Sequence, residues 1–369
     1  MDIWRTPPTG RRVAALWKEC TSIGQEPETT EVRYRKKAPV SDSLLSAILR
    51  QEFRHIGQRD LSSREWFMGS STGITGGIAI AVLAGPALVA ALTAAPASAD
   101  DDDKRTVRVP CDAVALAGAI NTANGGGPGI LRLARNCIYS ISTPATAATA
   151  LPTIIGNVTL AGGPGTTIRR DPAASADFRI LEVAAGGTLR VTGIAIKNGR
   201  TAGLGGGIQN SGTLRMDQTD VVGNRAGNGG GVANLAGARA VIVRSVLATN
   251  TTTSVGGGAI INSGDLTVIQ SRLTGNRAPI NGGGLNTQSG GVSRLVQSTF
   301  DHNTSGGLGG GISNLGTVSL DRTQVRFNSG PGGGGIATGN QNVTLRRSVV
   351  TSNDPANCSP LNTIAGCVN

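Results

Sequence analysis

Residues 309–328 read GGGISNLGTVSLDRTQVRFN, and this stretch returns in variant form along much of the chain. It joins a glycine triplet, a short alternation of apolar and polar residues, and a closing asparagine. The closing asparagines lie 26, 26, 26, 27, 25 and 25 residues apart, at Asn198, Asn224, Asn250, Asn276, Asn303, Asn328 and Asn353. A fixed period of this length indicates a repeat protein in which each repeat is one structural unit.

Aligning the repeats on these asparagines places similar residues in columns. The column three residues earlier is almost wholly apolar and holds Ala195, Val221, Leu247, Leu273, Phe300, Val325 and Val350. Alternation over four or five residues predicts short strands with one buried face, and no helical pattern fits between these strands to form a crossover helix. We therefore predict an all-β fold, a single-stranded right-handed parallel β-helix, with about seven regular turns over residues 186–353.

The most regular residues are interpreted as structural. Asparagines that recur once per turn are expected to stack in one ladder, from Asn198 to Asn353, that satisfies their amides from turn to turn. Glycine triplets such as Gly309, Gly310 and Gly311 allow sharp corners without side chains.

Both ends of the repeat region carry features of a cap. Asp112 is a good N-cap residue, and Leu116 and Ile120 follow at helical spacing, so a short capping helix is predicted over residues 112–124. Disulfides are predicted for the two local cysteine pairs, Cys111 with Cys137 and Cys358 with Cys367. The expected organisation is an acidic N-terminus and cap (100–150), β-helix repeats (151–353) and a disulfide-closed C-terminal cap (354–369).

The N-terminal third is expected to serve export. Residues 74–93 carry no charge and precede Ala97-Ser98-Ala99, so residues 74–99 are predicted to be a secretory signal peptide with its cleavage site. The length also suits a retained membrane anchor, which remains the alternative. Residues 1–73 form a leader to which no fold is assigned, and the start codon is an open question. The mature protein is predicted to be a secreted monomer without a membrane span, with attachment to the cell wall as an alternative.

The repeats resemble those of the polymorphic outer membrane proteins of chlamydial surfaces, which carry a Gly-Gly-Ala-Ile-type element and a Phe-x-x-Asn element. Phe300-Asp301-His302-Asn303 matches the second element literally. Residues 151–160 and 178–181 also look like exported right-handed β-helix proteins of actinobacteria, in the wider pectate-lyase-like group. The resemblance covers residues 107–369 and implies the β-helix fold far more than any activity.

Charge gives two readings of the function. The chain carries a net formal charge of +11, which fits either plain solubility or attraction to an acidic polymer such as a cell-wall glycan. If there is a polyanionic partner, the expected contact residues are Arg322, Arg326, Arg346 and Arg347, at outward columns of the last two repeats. Aromatic residues make up only 3% of the chain, so no stacking platform for specific nucleic-acid binding is expected.

An enzyme is the alternative to a binding scaffold. β-helix lyases and hydrolases need clustered carboxylates, and residues 107–369 hold only scattered ones. The best catalytic candidates are Asp301, His302 and Arg326, which share neighbouring columns; cross-strand ion pairs are the alternative explanation for such charges. We expect a non-catalytic, adhesive or glycan-binding surface scaffold without cofactor or metal, with Ca²⁺ required only if the protein is a polysaccharide lyase.

Overall fold

The computed structural model describes residues 105–369. Within them, strands of two to five residues follow one another through tight turns, and each strand pairs in parallel with the strand one turn later. This arrangement confirms the predicted parallel β-helix, and its longest sheet has ten strands. The predicted leader and signal peptide lie outside the described residues.

Two long sheets follow each other along every full turn. Sheet I contains β1 (Thr106–Val109), β2 (Ile130–Leu133), β4 (Asn157–Ala161), β7 (Thr188–Thr192), β10 (Thr213–Asp217), β14 (Arg239–Val243), β18 (Asp265–Ile269), β22 (Val292–Val296), β26 (Thr317–Asp321) and β29 (Val343–Arg346). Sheet II contains β3 (Ile138–Ile141), β5 (Thr167–Arg170), β8 (Ala195–Lys197), β11 (Asp220–Val222), β15 (Val246–Ala248), β19 (Arg272–Thr274), β23 (Thr299–Asp301), β27 (Gln324–Arg326) and β30 (Val349–Thr351).

A short sheet and a third long one complete the turn. Sheet III contains β12 (Arg225–Ala226), β16 (Thr251–Thr252), β20 (Arg277–Ala278) and β24 (Thr304–Ser305). Sheet IV contains β6 (Leu181–Val183), β9 (Ile208–Asn210), β13 (Val232–Asn234), β17 (Ile260–Asn262), β21 (Leu285–Thr287), β25 (Ile312–Asn314), β28 (Ile336–Thr338) and β31 (Cys358–Ser359).

The core is a stack of aliphatic side chains along the axis. In sheet I the alternation places Leu214 and Met216 inside and Arg215 between them outside, and the next turn repeats the pattern in register. The middle residue of each regular sheet II strand also points inward; Val221, Leu247, Leu273 and Phe300 are fully buried. The period of two along a strand thus decides which side chains form the core and which face solvent.

The glycine triplets leave no space for side chains because successive corners lie directly on one another. A Cβ atom added to Gly283 would lie 2.5 Å from the carbonyl oxygen of Thr304 and 2.6 Å from that of Gly310 on the next turn. These are backbone atoms of hydrogen-bonded strands and cannot move aside cheaply. The triplets are therefore a packing requirement of the corner.

The N-terminal end is covered by the one helix found within residues 105–369, α1 (Ala113–Asn124). The carboxylate of Asp112 accepts a hydrogen bond from the Ala115 N–H, as an N-cap does, and Leu116 and Ile120 are fully buried against the first strands. The sheets nevertheless begin earlier than the boundary at residue 151 predicts. β1, β2 and β3 lie in the segment assigned to the cap, because the chain enters sheet I before α1 and returns to it afterwards.

Cysteines close both ends of the β-helix. Cys111 is bonded to Cys137 beside α1, and Cys358 is bonded to Cys367 after the last strand of sheet IV, which confirms both predicted pairs. The C-terminal end is less completely covered than the N-terminal one. The inward side chains of its last turn, Leu345 and Val350, are partly exposed, whereas their counterparts Leu320 and Val325 are buried.

Candidate functional site

Asparagines at the corner after sheet II form a continuous hydrogen-bonded ladder. The side-chain oxygen of Asn250 accepts hydrogen bonds from both the backbone N–H and the side-chain amide of Asn224, each at 3.0 Å. The amide of Asn250 in turn donates to the carbonyl oxygen of Val221 and to Asn276. The same contacts recur down to Asn353. The hydrogen-bonding groups of these buried amides are therefore paired within the protein and are not available to a ligand.

Asn198 does not belong to this ladder, so the prediction that the ladder begins at Asn198 was wrong. The register pairs Val221 with Ile196, so Gly199 occupies the ladder position and donates its N–H to Asn224. Asn198 is exposed at the preceding position, with φ of 61°. Burial of Ile196 fixed the register here, because a slip of one residue would turn that side chain out to solvent.

A second asparagine ladder, which the sequence analysis missed, ends the strands of sheet IV. Asn210 donates to Asn234 at 2.8 Å, and Asn234 donates to Asn262 at the same distance. All three side chains are fully buried. The signal was present as an asparagine two residues after the aliphatic residue that follows several glycine triplets, but its spacing is less regular than that of the first ladder.

The outward face of sheet I is strongly basic. Its strands present seven arginines and three aspartates to solvent: Arg108, Arg132, Arg190, Arg215, Arg239, Arg294 and Arg346 against Asp217, Asp265 and Asp321. Arg190 and Arg215 occupy the same column of adjacent strands, where successive residues lie about 4.8 Å apart. Apart from Arg346, none of these arginines was singled out from the sequence, although the alternation in each strand marks them as outward.

The aspartates of this face are already engaged by neighbouring arginines. Asp217 is bound by Arg244, with a shortest distance of 2.6 Å, Asp265 is bound by Arg294, and Asp321 lies 3.2 Å from Arg322. Several other arginines of the face make no ion pair within residues 105–369: Arg108, Arg132, Arg190 and Arg239. The face therefore carries a positive charge that its own carboxylates do not neutralise.

The four arginines proposed as a polyanion-binding set fall on two surfaces. Arg346 ends the last strand of sheet I, and Arg322 and Arg347 occupy the turn positions directly after β26 and β29. Arg326 instead closes β27 on sheet II, beside Phe327. The structure thus joins Arg322, Arg346 and Arg347 to the basic face of sheet I and separates Arg326 from it.

Asp301, the first catalytic candidate, is a buried carboxylate held by Arg272. Its side chain is only 2% exposed, and both oxygens accept hydrogen bonds from the guanidinium of Arg272, at 3.1 and 2.5 Å. Arg326 lies opposite Asp301 in the register, but the two form no ion pair. Arg272 binds the carboxylate instead, because its long side chain reaches Asp301 diagonally from the preceding turn.

This environment keeps Asp301 ionised. Burial opposes its charge, but hydrogen bonds from Arg272 and Thr274, together with the charges of Arg272 and His302, outweigh that cost and lower the pKa of the carboxyl. A general acid or base needs access to substrate and a pKa near the working pH. Asp301 has neither property, so the geometry supports a structural role for it better than a catalytic one.

His302 and Arg326 instead surround an exposed aromatic ring. His302 lies with its Nδ1 3.6 Å from Asp301 and its ring centroid 5.5 Å from that of Phe327, at an angle of 35°. The guanidinium carbon of Arg326 lies 5.6 Å from the same ring centroid. The Nε atom of Arg326 is buried and has no hydrogen-bond partner. We call these three residues, His302, Arg326 and Phe327, the aromatic corner.

One depression on the described part of the chain does not resemble an enzyme cleft. An open depression of about 520 Å³ lies beside α1, lined by residues such as Asn121, Thr146 and Ile155, and no titratable side chain lines it. Across residues 105–369, no group of three or more histidine, cysteine or acidic side chains is placed to hold a metal ion. The same residues contain no helix long and apolar enough to cross a membrane.

Comparisons with protein-family models, with curated proteins and with solved structures find no match to this chain.

Proposed function

We propose that this protein is a secreted, non-catalytic β-helix scaffold that binds an anionic polysaccharide through the outward face of sheet I. The observation that carries the proposal is the excess of arginines over aspartates on that face, with each aspartate already bound by an arginine. Arginine suits this task because its planar guanidinium pairs with carboxylate or sulfate groups through two parallel hydrogen bonds.

A long regular face favours a polymeric partner. Ten strands spaced by about 4.8 Å extend over roughly 45 Å, so arginines recur along the path that an extended chain of anionic units would follow. Each exposed contact is weak by itself, but contacts that one polymer makes simultaneously add through effective concentration. A scaffold of this kind needs neither a cleft nor a catalytic residue.

Secretion is part of the proposal, and the two disulfides support it. Bonds such as Cys111–Cys137 and Cys358–Cys367 persist in oxidising compartments outside the cytosol. An extracellular location would also bring the basic face into contact with cell-wall or matrix polysaccharides.

Binding to dextran sulfate, compared between two matched triple variants, tests the proposal. The first variant replaces Arg190, Arg239 and Arg347 with glutamine on and beside sheet I; the control replaces Lys197, Arg225 and Arg277 on sheets II and III. Both variants lose the same net charge. Calorimetric titration should show that the sheet I variant binds about tenfold more weakly, while the control changes little.

Salt provides the second criterion. Raising NaCl from about 0.1 M to about 1 M shortens the screening length from about 10 Å to about 3 Å, so binding by exposed charges should fall steeply. An equal loss of affinity in the two variants would show that binding depends on net charge alone. It would contradict specific binding by the outward face of sheet I. Absence of binding by the unmodified protein would also contradict the proposal.

A further inference from the structure

Phe327 stands out because the other phenylalanine and tyrosine side chains of residues 105–369 are buried. Tyr139, Phe178 and Phe300 are at most 1% exposed, whereas Phe327 is 50% exposed. It lies in the turn after β27 with φ of 54°, a left-handed conformation that is unfavourable for a bulky side chain. The equivalent position one turn later is Ser352, which is small. Its ring contacts His302 and Arg326 on the surface, so neither burial in the core nor backbone preference explains a phenylalanine here.

Arg326 beside it is a cation without a counter-ion. Asp301 lies opposite in the register but is bound by Arg272 through both carboxylate oxygens. Within the described part of the chain, no carboxylate lies within 4.0 Å of Arg326, and its Nε lacks an acceptor. The positive charge of Arg326 is therefore not compensated by a nearby carboxylate, and an anionic group bound beside it would provide the counter-ion.

We propose that the aromatic corner, His302, Arg326 and Phe327, is a binding site for one carboxylated sugar ring of an acidic polysaccharide. The apolar face of the sugar would stack on Phe327, its carboxylate would bind Arg326, and His302 would donate a hydrogen bond to a hydroxyl or to the carboxylate. This inference rests on the proposed function and deepens it, since it names uronate units as the recognised feature. A single ring flanked by one arginine fits one sugar unit better than a run of nucleobases, which uses successive aromatic platforms.

The site and the basic face make different demands on a ligand. Sheet I offers charges only and should bind sulfated and carboxylated polymers similarly. The aromatic corner offers a stacking surface together with one cation. It should therefore prefer ligands that carry both a sugar ring and a carboxylate over other anionic ligands. Short uronate oligomers, which cannot span sheet I, therefore isolate the corner from the face.

The test is calorimetric titration of the full-length protein with trigalacturonate and with its fully methyl-esterified form, which keeps the rings and removes the charge. The unmodified protein should bind the acid about tenfold more tightly than the ester. Phe327→Ser, which places the Ser352 side chain on an equivalent backbone, should weaken binding of the acid about tenfold. Arg326→Gln should abolish the preference for the acid over the ester.

Val349→Ala is the matched control, because Val349 is 53% exposed on the same sheet and does not belong to the aromatic corner. It should leave both affinities unchanged, and thermal unfolding curves should be similar for all variants. Lack of trigalacturonate binding, or binding that Phe327→Ser leaves unchanged, would overturn the site. Titration with dextran sulfate separates the two proposals: its binding tests sheet I and should persist in Phe327→Ser.

Discussion

The pairing of Asp301 shows how one long side chain can change the role of its neighbours. Strand register alone places Arg326 opposite this carboxylate, yet Arg272 binds it from the preceding turn. The positive charge of Arg272 compensates the ionised carboxylate of Asp301, and Arg326 is left without a carboxylate partner. A residue that resembles a catalytic aspartate in the sequence therefore stabilises the sheet, and the arginine that resembles its partner becomes available for a ligand.

Asp301→Asn should lower the free energy of unfolding at neutral pH by about 2 kcal/mol, because it removes the charge-assisted bonds to Arg272 from a buried site. The folded protein lowers the pKa of Asp301, so its contribution is present above the ordinary carboxyl pKa of about 3.9. It is lost as the pH falls through the folded-state pKa, which is lower still. Urea unfolding at a series of pH values should show the difference between the two proteins shrinking below about pH 4.

Asp265→Asn is the control for this prediction. Asp265 is also paired with an arginine, Arg294, but both side chains are nearly half-exposed. Exposed ion pairs contribute little to stability, so the change should be much smaller. A difference between Asp301→Asn and the unmodified protein that stays constant down to the lowest pH would contradict the assignment.

At the level of elements, the two asparagine ladders hold the corners of the β-helix in register. Each asparagine uses its oxygen and its amide on neighbouring turns, so a ladder joins successive turns in addition to their strand pairing. Since these groups are buried, removing one leaves its neighbours without partners. The ladders thus stabilise the fold because any break in them leaves buried polar groups without hydrogen bonds.

Asn276→Gly should destabilise the protein by about 3 kcal/mol, because the N–H of Asn250 loses its acceptor and the carbonyl oxygen of Leu247 loses its donor. Asn198→Gly is the matched control from the same sequence pattern. Asn198 is exposed and its φ is 61°, so glycine fits there and the free energy of unfolding should change by no more than about 0.5 kcal/mol. Equal effects of the two substitutions in thermal unfolding would show that the ladder contributes nothing specific.

At the scale of the whole described β-helix, stability is expected to decline toward the C-terminal end. In a stack of repeats each turn contacts only its neighbours, so an end that is poorly covered opens first. α1 covers the N-terminal end with buried Leu116 and Ile120, whereas Leu345 and Val350 in the last turn are partly exposed. Arg346 and Arg347 at this end also discourage other chains from pairing with the open strand edge.

Amide hydrogen exchange should follow this gradient. Within residues 105–369, the strands β29 and β30 should exchange fastest, and the central strands β14 to β22 of sheet I should exchange slowest. Replacing Cys358 and Cys367 with serine should accelerate exchange in β29, β30 and β31 while leaving β1 and β2 unchanged. Mass spectrometry of exchanged peptides measures both effects, and uniform protection along the axis would refute the gradient.

The parallel β-helix, the capping helix at Asp112 and both disulfides could be predicted from the sequence alone. These features follow from local rules: a period of two places apolar residues inside, glycine marks crowded corners, and cysteines at the ends pair with near neighbours. The outward arginines Arg108, Arg190 and Arg239 were not identified in this way, and their position on one face emerges only when the strands are stacked.

The register of Asn198 and the partners of the charged side chains depend on contacts between turns and could not be predicted from the sequence. One buried aliphatic residue, Ile196, outweighed the asparagine spacing in the first regular turn, because burying it is worth more than extending a ladder. Long flexible arginines reach across turns, so the column of a charge does not identify its partner, as Asp301 and Arg272 show. Local pattern fixes the direction in which a side chain points, and the contacts it makes depend on what the neighbouring turns place within its reach.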